Sequence, residues 1–374
     1  MNVNWHRAVY VIAVIGLLAA LIAPLSSEPT VAIPGRPALL SATLLTALLY
    51  TAAAFATGWW SIGLTFIGVV RGCWLTLALL HDPTIAGHAA LGLWLVVMAN
   101  WIAAWRGVAG LAGVRPHDKR VARAVELAIP LLFGAFLFYL WEVAVRGFGV
   151  PTVLFPPPSM IAVRFFGSLW TLWQDFFQTF ILGVLTGYVI GCGAGFLVAI
   201  VAHRYTFLGR GLLPLGNFVS ALPIVGVAPI MVMWFGFDWP SKAAVVVVIT
   251  FFPMLVNTLA GLDAAGHIER DLMRSYGAGQ GQTLQKLYLP AAMPFIFNAL
   301  KINSTLAFIG AIVAEFFGTP TQGIGFRISI EAGRMALDMV WAEIALAALA
   351  GMAFYGIVAL AERATTFWHP SYRT

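Results

Sequence analysis

Polar side chains that could contact a solute stand at a few places inside long apolar stretches. Asn257, Asn303 and Glu315 each interrupt such a stretch. An amide or a carboxyl group buried in hydrocarbon is costly unless it faces a cavity or a partner. These three residues are therefore predicted to lie near a polar pathway, and an interhelical hydrogen bond is the alternative role for each of them.

Prolines and glycines mark two further apolar stretches. Pro223 and Pro229 stand six residues apart and predict a broken helix. Because broken helices at membrane depth are tolerated where they line a cavity, we predict a pathway wall over residues 220–233, including Met233. Glycines repeat at every fourth position from 183 to 195. This ladder predicts a face where two helices pack closely.

A polar stretch between two apolar segments covers residues 263–289. It is too long for a bare connector and has helix-forming residues on both sides of Gly277. We therefore predict two short helices with a break at this glycine, followed by a new start at Pro290 and Pro294. Such a helical elbow is suited to docking a partner protein. An amphipathic segment lying at the membrane surface is the alternative.

The sequence contains no pattern typical of catalysis or of metal binding. Its histidines are scattered, Cys73 and Cys192 lie far apart in apolar stretches, and no Gly-x4-Gly-Lys-Ser/Thr phosphate loop occurs. We predict no catalytic residue, no metal and no cofactor on this chain. A polytopic membrane enzyme is the alternative class, and it would need paired carboxylates or a histidine cluster at a membrane surface.

Apolar helices of membrane-spanning length must position these residues. Of 374 residues, 61% are hydrophobic and 10% are charged, and the mean hydropathy is +0.90. Soluble domains carry about 25% charged residues, so the composition excludes that class. At about 20 residues per span, the pattern predicts an all-α polytopic membrane protein with about ten transmembrane helices. The predicted spans cover roughly residues 8–24, 38–56, 60–80, 88–107, 124–145, 174–202, 211–235, 241–261, 291–315 and 339–362.

The distribution of cations predicts the orientation and a division of the chain. Most Lys and Arg, including a dense run at 115–123, fall on one side if both termini are cytoplasmic. We assign the net charge of +6 to these loops rather than to nucleic-acid binding. The character of the spans changes at this run. We predict an N-terminal extension of about four spans at 1–118, of unknown role, and a six-helix core at 119–374.

The elbow resembles the cytoplasmic motif of bacterial ABC importer permeases, whose usual form is Glu-Ala-Ala-x3-Gly followed by Ile-x-Leu-Pro. Gly277 matches the glycine, and the residues at 271–273 take the Glu-Ala-Ala positions without matching them fully. The residues that this resemblance assigns to ATPase coupling are Asp271, Leu272, Met273, Arg274, Gly277, Ala278, Leu289 and Pro290.

Surrounding segments extend the resemblance to about residues 124–374, the predicted six-helix core. The chain is similar there to permeases of the nitrate, taurine, alkanesulfonate and pyrimidine-precursor importers. The segments that carry this similarity are residues 151–159, 221–229, 234–236, 252–258, 314–318 and 323–325.

The resemblance implies a type I permease that moves solute by alternating access. Its implied partners are ABC ATPase subunits holding ATP and Mg²⁺, a periplasmic or lipid-anchored solute-binding protein, membrane lipid, and a second permease copy. A homodimer is expected and a heterodimer is left open. The implied location is the bacterial cytoplasmic (inner) membrane. The resemblance favours a pyrimidine precursor or a similar heterocycle as the substrate, and nitrate, taurine and sulfonates are the alternatives. A self-contained secondary transporter is the alternative, which the lack of visible repeats weakens.

Overall fold

The predicted all-α membrane fold is confirmed by a computed structural model. The structure describes residues 3–27, 32–220, 222–318 and 321–368. Every regular element in these ranges is a helix. Eight helices are long and apolar enough to cross a membrane, and two shorter apolar helices cover Arg7–Ile22 and Ile224–Phe235.

The chain forms two compact units, Met1–Ile161 and Ala162–Thr374. The helix at Lys119–Gly147 belongs to the first unit, whereas the sequence assigned it to the core. The predicted division into an N-terminal extension at 1–118 and a six-helix core at 119–374 rests on the character of the spans and on the family resemblance. The compact units do not test it, so it stays a prediction.

Over its described residues, the N-terminal unit is a bundle of five long helices: α1 (Val3–Ile22), α2 (Pro37–Phe55), α3 (Gly58–Leu80), α4 (Leu91–Ala112) and α5 (Lys119–Gly147). Helix α1 packs on α2 and α4, and α5 packs on α3 and α4. Buried hydroxyl groups join these helices: the Tyr10 and Thr65 oxygens lie 2.6 Å apart, and Tyr50 donates to Asn100 at 2.7 Å. α6 (Pro158–Gly167) spans the boundary of the two units.

The described part of the C-terminal unit contains ten further α-helices: α7 (Leu169–Phe176), α8 (Thr186–Arg204), α9 (Thr206–Ser220), α10 (Ile224–Phe235), α11 (Trp239–Asp263), α12 (His267–Ser275), α13 (Gln280–Thr283), α14 (Leu289–Glu315), α15 (Ile324–Gly333) and α16 (Leu337–Thr365). A π-helical segment at Phe177–Leu185 joins α7 to α8. Helix α11 lies at the centre and packs on α8, α10 and α14.

The glycine ladder packs α8 against α11, as predicted. An added Cβ at Gly191 would lie 2.2 Å from the Thr250 hydroxyl, and one at Gly195 would lie 2.5 Å from the Phe251 carbonyl oxygen. Gly187 is equally close to α11, because its added Cβ would lie 2.6 Å from a backbone oxygen. The absence of side chains therefore permits the close approach of the two backbones.

The predicted broken helix forms, whereas two expectations about individual prolines are wrong. The helix break falls before Ile224, at Pro223, but Pro229 lies inside α10 without ending it. Contacts with α11 and α14 support α10, and such packing lets membrane helices tolerate a missing N–H. Pro290 and Pro294 do not restart the chain either, since one continuous helix covers Gln280–Glu315. A π-helical turn at Leu284–Tyr288 precedes Pro290. This turn widens the helix at the place where the proline ring would clash with a backbone carbonyl of the preceding turn.

Replacing Gly191 with alanine tests the contact between α8 and α11. The added methyl group would collide with the Thr250 hydroxyl, so we expect a loss of about 1–3 kcal/mol in stability. The measurement is the thermal unfolding midpoint in detergent. Gly193→Ala is the matched control, because nothing lies within 4 Å of its Cβ position and the gain in helix propensity is the same. Equal midpoints for the two variants would contradict this packing.

Candidate functional site

The elbow forms as predicted, and Gly277 is its pivot. The N–H of Gly277 donates to the Arg274 carbonyl at 2.9 Å, and the N–H of Ala278 donates to the Met273 carbonyl at 3.0 Å. This pair of bonds is a Schellman motif, which ends a helix on a left-handed residue. Gly277 supplies that residue with φ of +67°. The chain therefore leaves α12 in a fixed direction and enters α13 three residues later.

One face of α12 presents an apolar stripe that nothing in the described chain covers. Ile268, Leu272 and the C-cap residue Tyr276 stand four residues apart, and 69%, 54% and 81% of their surfaces are exposed. Side chains with this spacing lie on one face of a helix. A short, otherwise polar helix with such a stripe is typical of a helix that docks into a groove of a partner. Of these three residues, only Leu272 is among the predicted coupling residues, although the four-residue spacing indicates the other two as well.

Charged residues surround this stripe. Asp271 and Arg274 are exposed, and their side chains lie 3.6 Å apart. A groove of about 540 Å³ runs between α8, α12 and α13, and its lining includes His203, Arg204 and Arg270. Among the other predicted coupling residues, Met273, Ala278, Leu289 and Pro290 are half-buried. The elbow thus combines an apolar stripe with a mostly cationic groove.

The predicted pathway residues do not gather at one place. Pro223 and Met233 are exposed, and Met233 keeps 83% of its surface accessible, whereas Pro229 is half-buried in α10. Asn257 is half-buried, donates to the Pro253 carbonyl of its own helix, and accepts from Asn298 at 3.5 Å.

Asn303 makes the interhelical contacts that the alternative interpretation describes. Its amide nitrogen donates to the Thr250 carbonyl at 2.8 Å and to the Cys192 sulfur at 3.2 Å. The side chain is fully buried. Asn303 therefore connects α14 to α11 and α8.

Glu315 belongs to a buried polar cluster at the end of α14. Its carboxylate accepts from the Thr179 hydroxyl at 2.8 Å and from the Gly325 N–H at 2.7 Å. Only 3% of its surface is exposed. The contacts fix the start of α15 against the helix that follows α7. The sequence indicates Glu315 but not its partners, because they lie more than 130 residues away or across a loop.

Asp175 holds the other side of this cluster. It accepts from the Gly323 N–H at 2.7 Å and from the Arg327 guanidinium at 2.8 Å. The bond to Asp175 raises the pKa of Arg327 above its usual value. The cluster lies at the far end of α14 from the elbow, and 27 residues at 1.5 Å each place the two ends about 40 Å apart.

Residues 187–367 match the family model described as the inner membrane component of binding-protein-dependent transport systems. A formylaminopyrimidine transport permease from Halalkalibacterium halodurans is 32% identical over 208 residues, or 56% of this chain and 81% of the relative. A riboflavin transport system permease from Chloroflexus aurantiacus is 28% identical over 264 residues, or 69% and 97%. A taurine transport system permease from Escherichia coli is 28% identical over 271 residues, or 68% and 95%.

Replacing Gly277 with alanine tests whether the pivot needs a left-handed residue. Nothing lies within 4 Å of its Cβ position, so the cost is conformational and amounts to about 1–2 kcal/mol. We expect the amide of Ala278 to exchange with deuterium about 5- to 30-fold faster. Gly281→Ala is the control, because it adds the same methyl group in open space within α13. Equal exchange in the two variants would show that the motif does not hold the elbow.

Proposed function

This chain belongs to the family of binding-protein-dependent transport system inner membrane components, and on that premise we propose that its elbow couples transport to separate ATPase subunits. The chain is a permease subunit of an ABC importer, and it is a transport subunit rather than an enzyme. ABC permeases work with ATPase subunits and a solute-binding protein.

The apolar stripe on α12 carries this proposal. Ile268 and Leu272 on α12 and Tyr276 directly after it are exposed, and the other residues of this short helix are largely polar. Docking into a groove of an ATPase subunit would remove the stripe from water. Asp271 and Arg274, which flank it, would pair with charges at the rim of that groove. Because α13 continues into α14 without a break, a displacement of the elbow would reach a helix that spans the membrane.

The exposed face of α10 supports a second permease copy. A polar pathway must be enclosed by protein, since lipid cannot satisfy backbone and solute polar groups. Met233 and Pro223 are exposed in the single chain and cannot enclose a pathway alone. We therefore assign them to a dimer interface along the pathway, with a second copy of this chain opposite. The hydrogen bonds of Asn303 and Glu315 lie within one protomer. These two residues would therefore affect the pathway only through the helices that they connect.

The membrane orientation follows from the same proposal. The ATPase subunits are cytoplasmic, so a docking elbow places the 263–289 segment in the cytoplasm. Both termini and the cationic run at 115–123 then fall on the same side, as the positive-inside rule favours. The membrane would be the cytoplasmic membrane of a bacterium. ATP and Mg²⁺ would bind to the partner subunits, and none of their binding residues would come from this chain.

The proposed substrate is a small heterocycle of the pyrimidine-precursor class. Its support is the resemblance of residues 221–236 to permeases for such compounds and the name of the formylaminopyrimidine relative. Taurine, sulfonates and nitrate are the competing classes, and one relative is named for taurine.

Replacing Gly277 with proline tests the coupling role. Proline fixes φ near −65° and removes the N–H that donates to Arg274, so it breaks the pivot. In liposomes with the ATPase subunits, we expect binding-protein-stimulated ATP hydrolysis to fall to the unstimulated level while membrane insertion is unchanged. Gln280→Pro is the matched control, since the first position of a helix tolerates proline. Normal stimulation in Gly277→Pro would show that the docking site lies elsewhere.

Uptake by the reconstituted importer tests the substrate class. With the binding protein encoded beside this gene, we expect a labelled aminopyrimidine to accumulate in ATP-loaded liposomes. Excess unlabelled aminopyrimidine should abolish uptake, and excess taurine should leave it unchanged. Uptake of taurine or nitrate instead of the aminopyrimidine would contradict the proposed substrate and leave the permease function intact.

A further inference from the structure

The cationic groove beside the elbow carries positive charge that its own walls do not balance. It has a volume of about 540 Å³ and lies between the end of α8, the helices α12 and α13, and the π-helical turn that follows them. Its lining includes Arg204 on α8, Arg270 and Arg274 on α12, and His203, whose ring lies 3.1 Å from the Asp263 carboxylate. No aspartate or glutamate is among its described lining residues. Such a surface attracts an anion.

Two of the three arginines have no acidic partner in the described chain. Arg274 lies 3.6 Å from Asp271. Arg204 and Arg270 form no ion pair with a described carboxylate, and the Nε of Arg270 donates to the Gly266 carbonyl at 3.2 Å. Because a guanidinium group has several N–H donors, this bond leaves most of them available. Arg204 and Arg270 can therefore hold an anion together.

The cationic groove lies where two helices of membrane-spanning length end. Arg204 is the last residue of the helix at Leu169–Arg204, and the helix at Gln280–Glu315 begins with a residue of the groove lining. The ends of membrane-spanning helices lie among the lipid headgroups. Apolar groups share the lining with the arginines, and they belong to Ile200, Leu284 and Tyr288. This combination suits a phospholipid, whose phosphate is anionic and whose chains are apolar.

The cationic groove and the apolar stripe lie on different faces of α12. Successive residues of an α-helix are about 100° apart around its axis. Arg270 stands two positions from both Ile268 and Leu272, so it lies about 200° around the helix from each of them. An ATPase subunit seated on the stripe would leave Arg270 uncovered. The position of the groove therefore favours a lipid headgroup over an acidic segment of the ATPase subunit.

We propose that the cationic groove binds the phosphate of an anionic phospholipid through Arg204 and Arg270. A guanidinium group can donate two parallel hydrogen bonds to a phosphate, and basic pockets between membrane helices suit such headgroups. Because the two arginines stand on α8 and α12, the bound phosphate connects a membrane-spanning helix to the elbow. The lipid thus stabilises the elbow in the position that the structure describes.

Titration of the purified chain with lipid in a neutral detergent tests the site. Phosphatidylglycerol should raise the thermal unfolding midpoint, since a ligand that binds the native state stabilises it, and phosphatidylcholine should not. In the double variant Arg204→Gln with Arg270→Gln, the concentration of phosphatidylglycerol needed for half of the rise should increase about tenfold or more. Equal responses of the wild type to the two lipids would overturn the proposal.

Arg210→Gln with Arg363→Gln is the matched control. Both residues are exposed, lie outside the groove lining and remove the same charge. This variant should respond to phosphatidylglycerol as the wild type does. Equal losses in the two double variants would indicate diffuse attraction and contradict a defined site. Without lipid, the groove variant should unfold at the wild-type midpoint, and a lower midpoint would show that its arginines stabilise the fold by themselves.

Inorganic phosphate distinguishes a lipid from a free anion as the source of the phosphate group. It lacks the apolar part that the groove would contact, so at the concentrations of the lipid titration we expect no rise in the wild-type midpoint. A rise that matches the effect of phosphatidylglycerol, and that is lost in the groove variant, would assign the site to a free anion and contradict the lipid assignment.

A functional measurement shows whether the lipid acts on the elbow, and it rests on the proposed coupling. In liposomes with the ATPase subunits, binding-protein-stimulated ATP hydrolysis should rise with the fraction of phosphatidylglycerol, and it should rise less in the groove variant. Equal dependence on this fraction in the two proteins would contradict the effect on the elbow. Absence of stimulation in all liposomes, with the lipid titration as expected, would instead contradict the coupling proposal.

Discussion

Hydrocarbon offers no hydrogen-bonding partner, and this constraint decides where the polar groups of the chain lie. Inside the C-terminal unit, Asn303 is bonded to the backbone of α11, and Lys301 is paired with Glu362. The glycine ladder of α8 serves close packing. Because these glycines have no side chains, the backbone of α8 comes into contact with α11. The elbow and the buried polar cluster around Glu315 lie at the two ends of α14.

One long helix connects these two ends. The helix at Gln280–Glu315 begins in the elbow and ends at Glu315 in the buried polar cluster. The elbow exposes apolar side chains, whereas the cluster buries charged ones. Each arrangement reverses the usual preference, and such reversals are typical of functional sites. In an importer, force enters from the ATPase side and the binding protein acts on the other side. The proposed docking stripe and the buried ion pair of Asp175 with Arg327 would lie at these two sides.

The sequence predicts the parts of this molecule that depend on local pattern. Apolar run length predicts the spanning helices, the four-residue repeat predicts the packing face of α8, and Gly277 predicts the elbow break. The sequence does not predict features that depend on contacts between residues far apart in the chain. Neither Pro229 nor Pro290 ends a helix, because neighbouring helices and a π-helical turn accommodate them. The partners of Glu315 could not be predicted, since Thr179 approaches only through tertiary folding.

Photo-crosslinking from the apolar stripe tests the central claim most directly. A photoreactive phenylalanine analogue would replace Tyr276, directly after α12. In a second variant it would replace Phe316, which is 46% exposed beyond the other end of α14. In liposomes with the ATPase subunits and the binding protein, our account predicts that Tyr276 crosslinks to an ATPase subunit and that Phe316 does not. Crosslinking of the ATPase subunit from Phe316, or from neither position, would contradict it.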